Sequence, residues 1–305
     1  MTSRSFSGVI KEVEGDLARV VCLFYLVLRG LDTIEDDMTL SDEKKQPILR
    51  QFHELAVTPG WTFNESGPGE KDRQLLVEFD VVCEEINRLD SRYRDIIVDI
   101  TQKMENGMAD FAHKAATTNS LYPESIAEYD LYCHYVAGLV GEGLTRFWSA
   151  SGKEVDWLGE QLELSNSMGI MLQKTNIIRD FREDADEWRF FWPREIWGRE
   201  IYGVACGRGP FKEMTEMYMP GNEQQALWVQ SGMVVNVLGH AVDSLDYLRL
   251  LKKQNPESGG CFINHALDEP REVAYIFRDY ARKIHSKAVP EDPNFLQLIR
   301  GLWKN

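Results

Sequence analysis

Apolar residues recur at three- and four-residue steps almost throughout this chain, and that period admits little besides packed helices. Val9, Val13, Leu17, Val20, Val21, Phe24, Leu28 and Leu31 set the first run, with Ser5 or Ser7 placed to cap it. A short helix is expected after Ser41, where Asp42 and Glu43 suit the positive end of a helix dipole. Thr58 to Asp72, holding Pro59, Gly60, Gly67, Pro68 and Gly69, reads as a loop. Long helical patterns follow over about 73–118, 124–151, 156–186, 222–252 and 270–288. Pro193, the run Gly207 to Pro210, and Pro220-Gly221 break the third quarter into shorter pieces. No strand alternation, internal repeat or compositional boundary interrupts this pattern. The expectation is one all-α domain, a single helical bundle over residues 1–305.

Bulk features exclude several classes. The formal charge of −15 leaves no basic footprint for a nucleic-acid backbone. Cys22, Cys83, Cys133, Cys206 and Cys261 stand singly, without a C-x-x-C pair, which reads as free thiols in a reducing compartment. No signal peptide opens the chain, and the longest apolar run, Val20 to Leu28, is far short of the ~20 residues a membrane span needs. The chain as given therefore reads as soluble. Its acidity also argues against an anionic substrate, unless cations mediate the contact.

Two acidic segments supply those cations' ligands. Asp32-Thr33-Ile34-Glu35-Asp36-Asp37 ends the first helix pattern, and Asp180-Phe181-Arg182-Glu183-Asp184 closes the 156–186 pattern. Each puts aspartates one helical turn apart, with a glutamate beside the second. Stacked carboxylates repel and weaken a helix unless a cation sits among them. Mg²⁺ suits such a set, since it takes oxygen ligands and usually binds one or two carboxylates plus substrate phosphate. Taken singly, either segment reads as a solvated acidic face. Two copies, each emerging from an apolar helix where carboxylates are costly, favour metal binding. Gln173 and Asn176 lie two turns and one turn before Asp180 on its face.

Arg29 stands three residues before Asp32, and Arg179 adjoins Asp180; Arg4 lies upstream. Two readings stand for these arginines, simple pairing with the carboxylates or guanidinium contacts to a diphosphate. Lys71, in the Gly-rich loop, is a further phosphate partner or a solvated lysine. A third segment, Tyr129 to Gly143, carries Gly138, Gly141 and Gly143 inside a helix period. The glycines point to close approach by another backbone or a bulky apolar ligand, and without a preceding strand they are no nucleotide loop. Tyr132 is either a core aromatic with a satisfied hydroxyl or a phenol acting near a carbocation.

Together these segments resemble squalene synthases of the fungal and animal type. The likeness rests on Ser3-Arg4-Ser5-Phe6, Phe24 and Tyr25 through Arg29 to Thr39, Glu70 to Gln74, Tyr132 to Gly141, and Leu172 to Asp180. Phytoene and dehydrosqualene synthases share the acidic segments, but Cys133 to Gly141 looks like squalene synthase. The resemblance implies an all-α class I isoprenoid synthase that joins two farnesyl diphosphates head to head. It implies Mg²⁺ held by Asp32, Glu35 and Asp36 on one wall and Asp180, Glu183 and Asp184 on the other. Arg4, Arg29, Lys71 and Arg179 match diphosphate contacts of the family, and Phe6, Tyr25, Gln173 and Asn176 match its site lining. Tyr132 matches the position linked to proton removal on the way to presqualene diphosphate, after which NADPH delivers hydride to give squalene. A monomer on the cytosolic face of the endoplasmic reticulum membrane is implied for the full-length protein.

Three departures from that family follow. The N-terminal lead-in is almost absent, and the C-terminal hydrophobic anchor is missing. Between Lys253 and Glu269, one long apolar helix and its successor are replaced by a short Gly-containing stretch. That segment helps form the second-reaction pocket in the family, so the alternatives are a phytoene- or dehydrosqualene-type synthase without reduction, or a helical scaffold with impaired catalysis.

Overall fold

A computed structural model describes residues 10, 13, 15–118, 122–154, 156–186 and 189–254, with side chains described to residue 241. Among these residues the regular structure is helical and no strand forms. The principal elements are α1 (Asp16–Asp36), α2 (Asp42–Leu49), α3 (Phe79–Asn87), α4 (Ser91–Thr118), α5 (Ile126–Cys133), α6 (Leu139–Ala150), α7 (Leu162–Asp186) and α8 (Glu223–Gln254). Shorter turns of helix fill the gaps, at Phe52–Leu55, Arg73–Val77, Arg194–Trp197 and Glu200–Ala205.

Local chemistry sets the boundaries and corrects two of the expected spans. The first pattern is not one helix from Val9, because Gly15 takes φ 68° and α1 starts only at Asp16. Its proposed caps, Ser5 and Ser7, lie outside the described residues, as does the expected helix at 270–288. The span 73–118 is three helices rather than one. Asp90 accepts a hydrogen bond from the Arg92 N–H at 3.0 Å, and so caps α4 and ends its predecessor. Ser41 precedes α2, with Asp42 and Glu43 in its first turn, and the chain from Thr58 to Asp72 is a loop.

Among the described residues two large cores hold the bundle, with a small third cluster around Leu158. The first joins α1, α3, α4 and α6 around Phe24, Phe52, Phe79, Ile100 and Phe147. The second joins α5, α7 and α8 around Tyr129, Met171, Trp192, Trp197 and Met233. Between α5 and α6 the chain makes one π-helical turn, His134–Gly138. That turn lies where the chain passes from the second core, at Tyr132 and Cys133, to the first, at Tyr135 and Leu139. An extra residue per turn re-aims the side chains that follow it.

The glycines do here what their spacing suggests: they bring backbones together. A Cβ on Gly169 of α7 would lie 2.3 Å from the Ala137 carbonyl oxygen and 2.9 Å from Gly138 Cα. One on Gly141 would lie 2.4 Å from the Ser165 carbonyl oxygen. Gly143 instead makes room for the Phe24 ring, at 2.6 Å. Thus α7 presses on the π turn at backbone contact, just after the helix that carries Tyr132.

Candidate active site between two acidic helices

The first acidic segment ends α1. Asp32 and Asp36 each keep about 30% of the side chain accessible, although protein surrounds them closely. Burial and the neighbouring Asp36 push the Asp32 carboxyl up to about 7, against the pull of Arg29 and Arg189. Burial, then Asp36 and Asp32, push Glu35 well above the usual carboxylate range. Burial leads both shifts, and the neighbouring carboxylates add to it. Asp37 differs. It is buried and accepts from the Thr39 N–H at 2.8 Å, the Thr39 hydroxyl at 2.6 Å and the Gly67 N–H at 2.9 Å. Although burial raises its pKa, these donors hold it below the ordinary value, so Asp37 is an anchor for the loop rather than a free ligand.

That anchor brings the Gly-rich loop to the site. Asp72, buried, sits 3.8 Å from Arg29 Nε, and Lys71, the residue before it, is exposed at the loop's edge. Arg29 Nη1 donates to Asp32 at 2.5 Å, its Nε reaches the Tyr25 hydroxyl at 3.3 Å, and the guanidinium lies 5.7 Å from the Tyr25 ring centroid. Tyr25, Arg29, Asp32, Asp36 and Lys71 therefore belong to one neighbourhood. Arg4 and Phe6 lie outside the described residues.

The second acidic segment ends α7. Arg179 forks onto Asp180, Nε at 2.7 Å and Nη2 at 2.6 Å. Both described candidate arginines thus pair with carboxylates, the simpler of the two readings, and remain positioned beside any anion those carboxylates recruit. Gln173 and Asn176 are half-buried on the same helix, and Glu183 is exposed. The helices α1 and α7 are not packed along one another. What spans them is a residue the sequence reading passed over: Arg189, 3.1 Å from Asp36 through Nη1 and 3.1 Å from Asp184 through Nη2. Its signal was available, since it follows Asp184 by five residues much as Arg29 precedes the first segment.

Tyr132 completes the site. Its ring stacks on Phe191, with centroids 5.4 Å apart and planes at 21°, and meets Phe111 edge-on at 5.3 Å. Burial, followed by Glu35, Asp36 and Asp32, raises its phenol well above the ordinary value. It is a neutral hydroxyl in an aromatic box, within electrostatic reach of the first acidic segment. Phe111 and Phe191 also escaped the sequence reading, because they come from α4 and from the segment after α7 and share no local pattern.

Oxygen-rich, charge-surplus and only partly accessible, this donor set has the chemistry of a hard divalent cation site. Among the described residues no three acids converge as a ready ligand set. The raised Asp32 and Glu35 carboxyls fit a cation's arrival, since a bound dication would favour their charged forms.

Comparisons with known proteins agree with this arrangement. The squalene/phytoene synthase family model matches residues 1–208. Squalene synthase of Ganoderma lucidum is 69% identical over 330 aligned positions, covering 97% of this chain and 71% of that protein. Squalene synthase of Mycosarcoma maydis is 46% identical over 335 positions, covering 97% of this chain and 58% of that protein. The solved complex of TcSQS with the ligand E5700 superposes at a TM-score of 0.72 with 42% identity, over 81% of this chain and 67% of that one. The first alignment uses 97% of 305 residues, about 296, so about 34 of its 330 positions face no residue here. The junction from Lys253 to Glu269, where the sequence leads one to expect a missing segment, lies mostly outside the described residues. This chain belongs to the squalene/phytoene synthase family, on its squalene synthase branch.

Proposed function

We propose that this chain condenses two farnesyl diphosphates head to head to presqualene diphosphate, and that the complete reaction ends in NADPH-dependent reduction to squalene. The observation that supports it most directly is the pairing of two like acidic helix ends, linked by Arg189, beside a buried phenol in an aromatic box. The whole of residues 1–305 is taken as one isoprenoid synthase domain.

Asp32, Glu35, Asp36, Asp180, Glu183 and Asp184 would hold Mg²⁺, which when bound neutralises the diphosphate and makes it a better leaving group. Arg29, Arg179, Lys71 and Arg4 supply positive charge for the same anion, and Gln173 and Asn176 offer neutral amides along its path. Loss of diphosphate from one farnesyl chain leaves an allylic cation. The faces of Tyr132, Phe111 and Phe191 favour positive charge and exclude water that would trap it. The proton lost as the cyclopropane ring closes is assigned to a route past Tyr132 Oη. Because this phenol stays neutral, it passes a proton along to a neighbouring acceptor rather than holding it, and the carboxylates of the first acidic segment lie within its field. Tyr25 keeps Arg29 aimed across the mouth of the site. The full-length protein is taken as a monomer anchored at the endoplasmic reticulum membrane. Among the described residues no helix is long and apolar enough to cross a membrane.

Incubation with farnesyl diphosphate, Mg²⁺ and NADPH, followed by product extraction, tests this. Presqualene diphosphate or squalene is expected, and both should vanish with Asp180→Ala. The same assay separates a second reading, in which the chain stops at presqualene diphosphate whether or not NADPH is supplied. Squalene in the product would exclude it. Absence of both products, with Mg²⁺-diphosphate affinity unchanged in Asp180→Ala, would refute the site.

A further inference from the structure

Arg29 holds Asp32 three residues on and reaches Asp72 of the loop at 3.8 Å, and Arg179 forks onto the adjacent Asp180. Arg189 does something different. Its guanidinium joins Asp36 at the end of α1 to Asp184 near the end of α7, 3.1 Å from each. Its backbone N–H also donates to the Asp184 carbonyl oxygen at 2.8 Å, which ties the segment after α7 back onto its last turns. About 28% of the Arg189 side chain is accessible, and Asp184 is more enclosed, at 13%. A planar guanidinium offers donors at a fixed spacing, so it can hold two carboxylates from opposite walls at once; an ammonium cannot reproduce that fork.

Asp36 and Asp184 are also carboxylates assigned above to the divalent cation, and this inference rests on that assignment. A carboxylate oxygen engaged with a guanidinium is less available to a metal ion, so the two cations compete for the same groups. We propose that Arg189 is an internal counter-cation that clamps the acidic ends of α1 and α7, and that metal loading proceeds by exchange of its guanidinium for the divalent ion. The clamp sets the spacing of the two walls before metal arrives and lowers the affinity for metal alone. It also reaches the aromatic box. Arg189 is two residues from Phe191, which stacks on Tyr132, and three from buried Trp192, whose ring stacks on Phe181 of α7 at 4.0 Å. Moving the Arg189 side chain therefore acts on the segment that forms one face of the Tyr132 box. Arg189 is a positioning residue in this account.

The test is titration of the full chain with Mn²⁺ alone, followed by calorimetry and Mn²⁺ spin resonance, in wild type, Arg189→Gln, Arg189→Lys and Asp184→Asn. Removing a competing cation should tighten Mn²⁺ binding by about fivefold or more in Arg189→Gln, the lower end of ordinary coupling between sites. The same variant should melt lower without metal and gain more on its addition. Arg189→Lys should lie between it and wild type. A structural ion pair would lower the melting point without tightening metal binding. A folded Arg189→Gln with unchanged or weaker Mn²⁺ affinity therefore overturns the proposal. Should Arg189→Gln fail to fold, Arg189→Lys decides: affinity no tighter than wild type overturns it equally. If Asp184→Asn binds Mn²⁺ as well as wild type does, the assignment of Asp184 to the metal fails first, and the exchange falls with it. Tightening in Arg189→Gln with weakening in Asp184→Asn supports both.

Discussion

Replacing Gly169 by Ala tests how far backbone contact between α7 and the π turn holds the site together. A Cβ there would stand 2.3 Å from the Ala137 carbonyl oxygen, 2.8 Å from its carbon and 2.9 Å from Gly138 Cα. A carbon–oxygen contact settles at roughly 3.3 Å or more, so α7 and the π turn must part by about 1 Å. All three obstructing atoms are backbone, and no rotamer change relieves them. Overpacking of this kind costs about 1–3 kcal/mol, and the gain in helix propensity from Gly to Ala returns only about 1 kcal/mol. Net destabilisation of up to about 2 kcal/mol is expected. For a protein of this size that corresponds to a fall of up to roughly 8 °C in melting temperature.

Gly239, in the interior of α8, supplies the control. A Cβ there meets nothing within 4 Å, so Gly239→Ala should gain about 0.5–1 kcal/mol through propensity and unfolded-state entropy. The assay is urea unfolding followed by circular dichroism, with the transition midpoint compared across wild type and both variants. Opposite signs are expected for two chemically identical substitutions. The separation should also move the π turn that follows Tyr132, so turnover of farnesyl diphosphate should fall further in Gly169→Ala than the stability loss explains. Gly169→Ala unfolding at or above the wild-type midpoint would refute the claim of backbone contact.

Tyr132→Phe keeps the stack on Phe191 and removes only the hydroxyl. Melting should change little, while presqualene diphosphate formation falls by about 10²-fold or more in a product assay. Lys174, fully buried, donates to Asn236 at 2.7 Å and pairs with Asp130. Lys174→Met should cost about 3 kcal/mol by chemical denaturation, near the low end for a broken buried pair because Asp130 remains partly open to water. Asp99 of α4 pairs with Lys103 on its own helix, at 3.0 Å, and bridges to α6 through Arg146. Although burial raises its pKa, those two cations hold it below the ordinary value. A depressed folded pKa gives stability that is complete above the unfolded value of about 3.9 and is lost as pH falls through the folded one. Asp99→Asn should therefore melt slightly below wild type at pH 7, by the equivalent of about 0.5 kcal/mol given its exposure. The two melting curves should converge as pH falls below the unfolded value and through the lowered folded one.

The fold was legible because helix periodicity is a local property repeated many times, whereas the site was legible only where its chemistry was repeated locally too. Asp32 and Asp36, and Asp180 and Asp184, announce themselves because a helix stacks residues four apart, and carboxylates so stacked need explaining. The glycines of residues 138–143 likewise signalled close approach, and Gly141 meets the Ser165 carbonyl oxygen as that spacing implied. What escaped lay between segments. The break of the long pattern at residues 88–90 depends on one capping carboxylate, Asp90, set in a helical period too regular to betray it. Asp37 reads as one more acid in a run, yet three donors make it a loop anchor, two of them from Thr39 and one from Gly67. The π turn has the composition of an ordinary helix, and only the packed structure shows α7 set against it at Gly138. Arg189 carried a faint local signal, its place just beyond the second acidic segment. Its partner Asp36 lies across the site and can be assigned only once α1 and α7 are placed. Pairing within a helix is thus written in spacing, while pairing across the site is written in the packing that the spacing produces. A single clamp such as Arg189 can then govern both acidic segments while resembling neither.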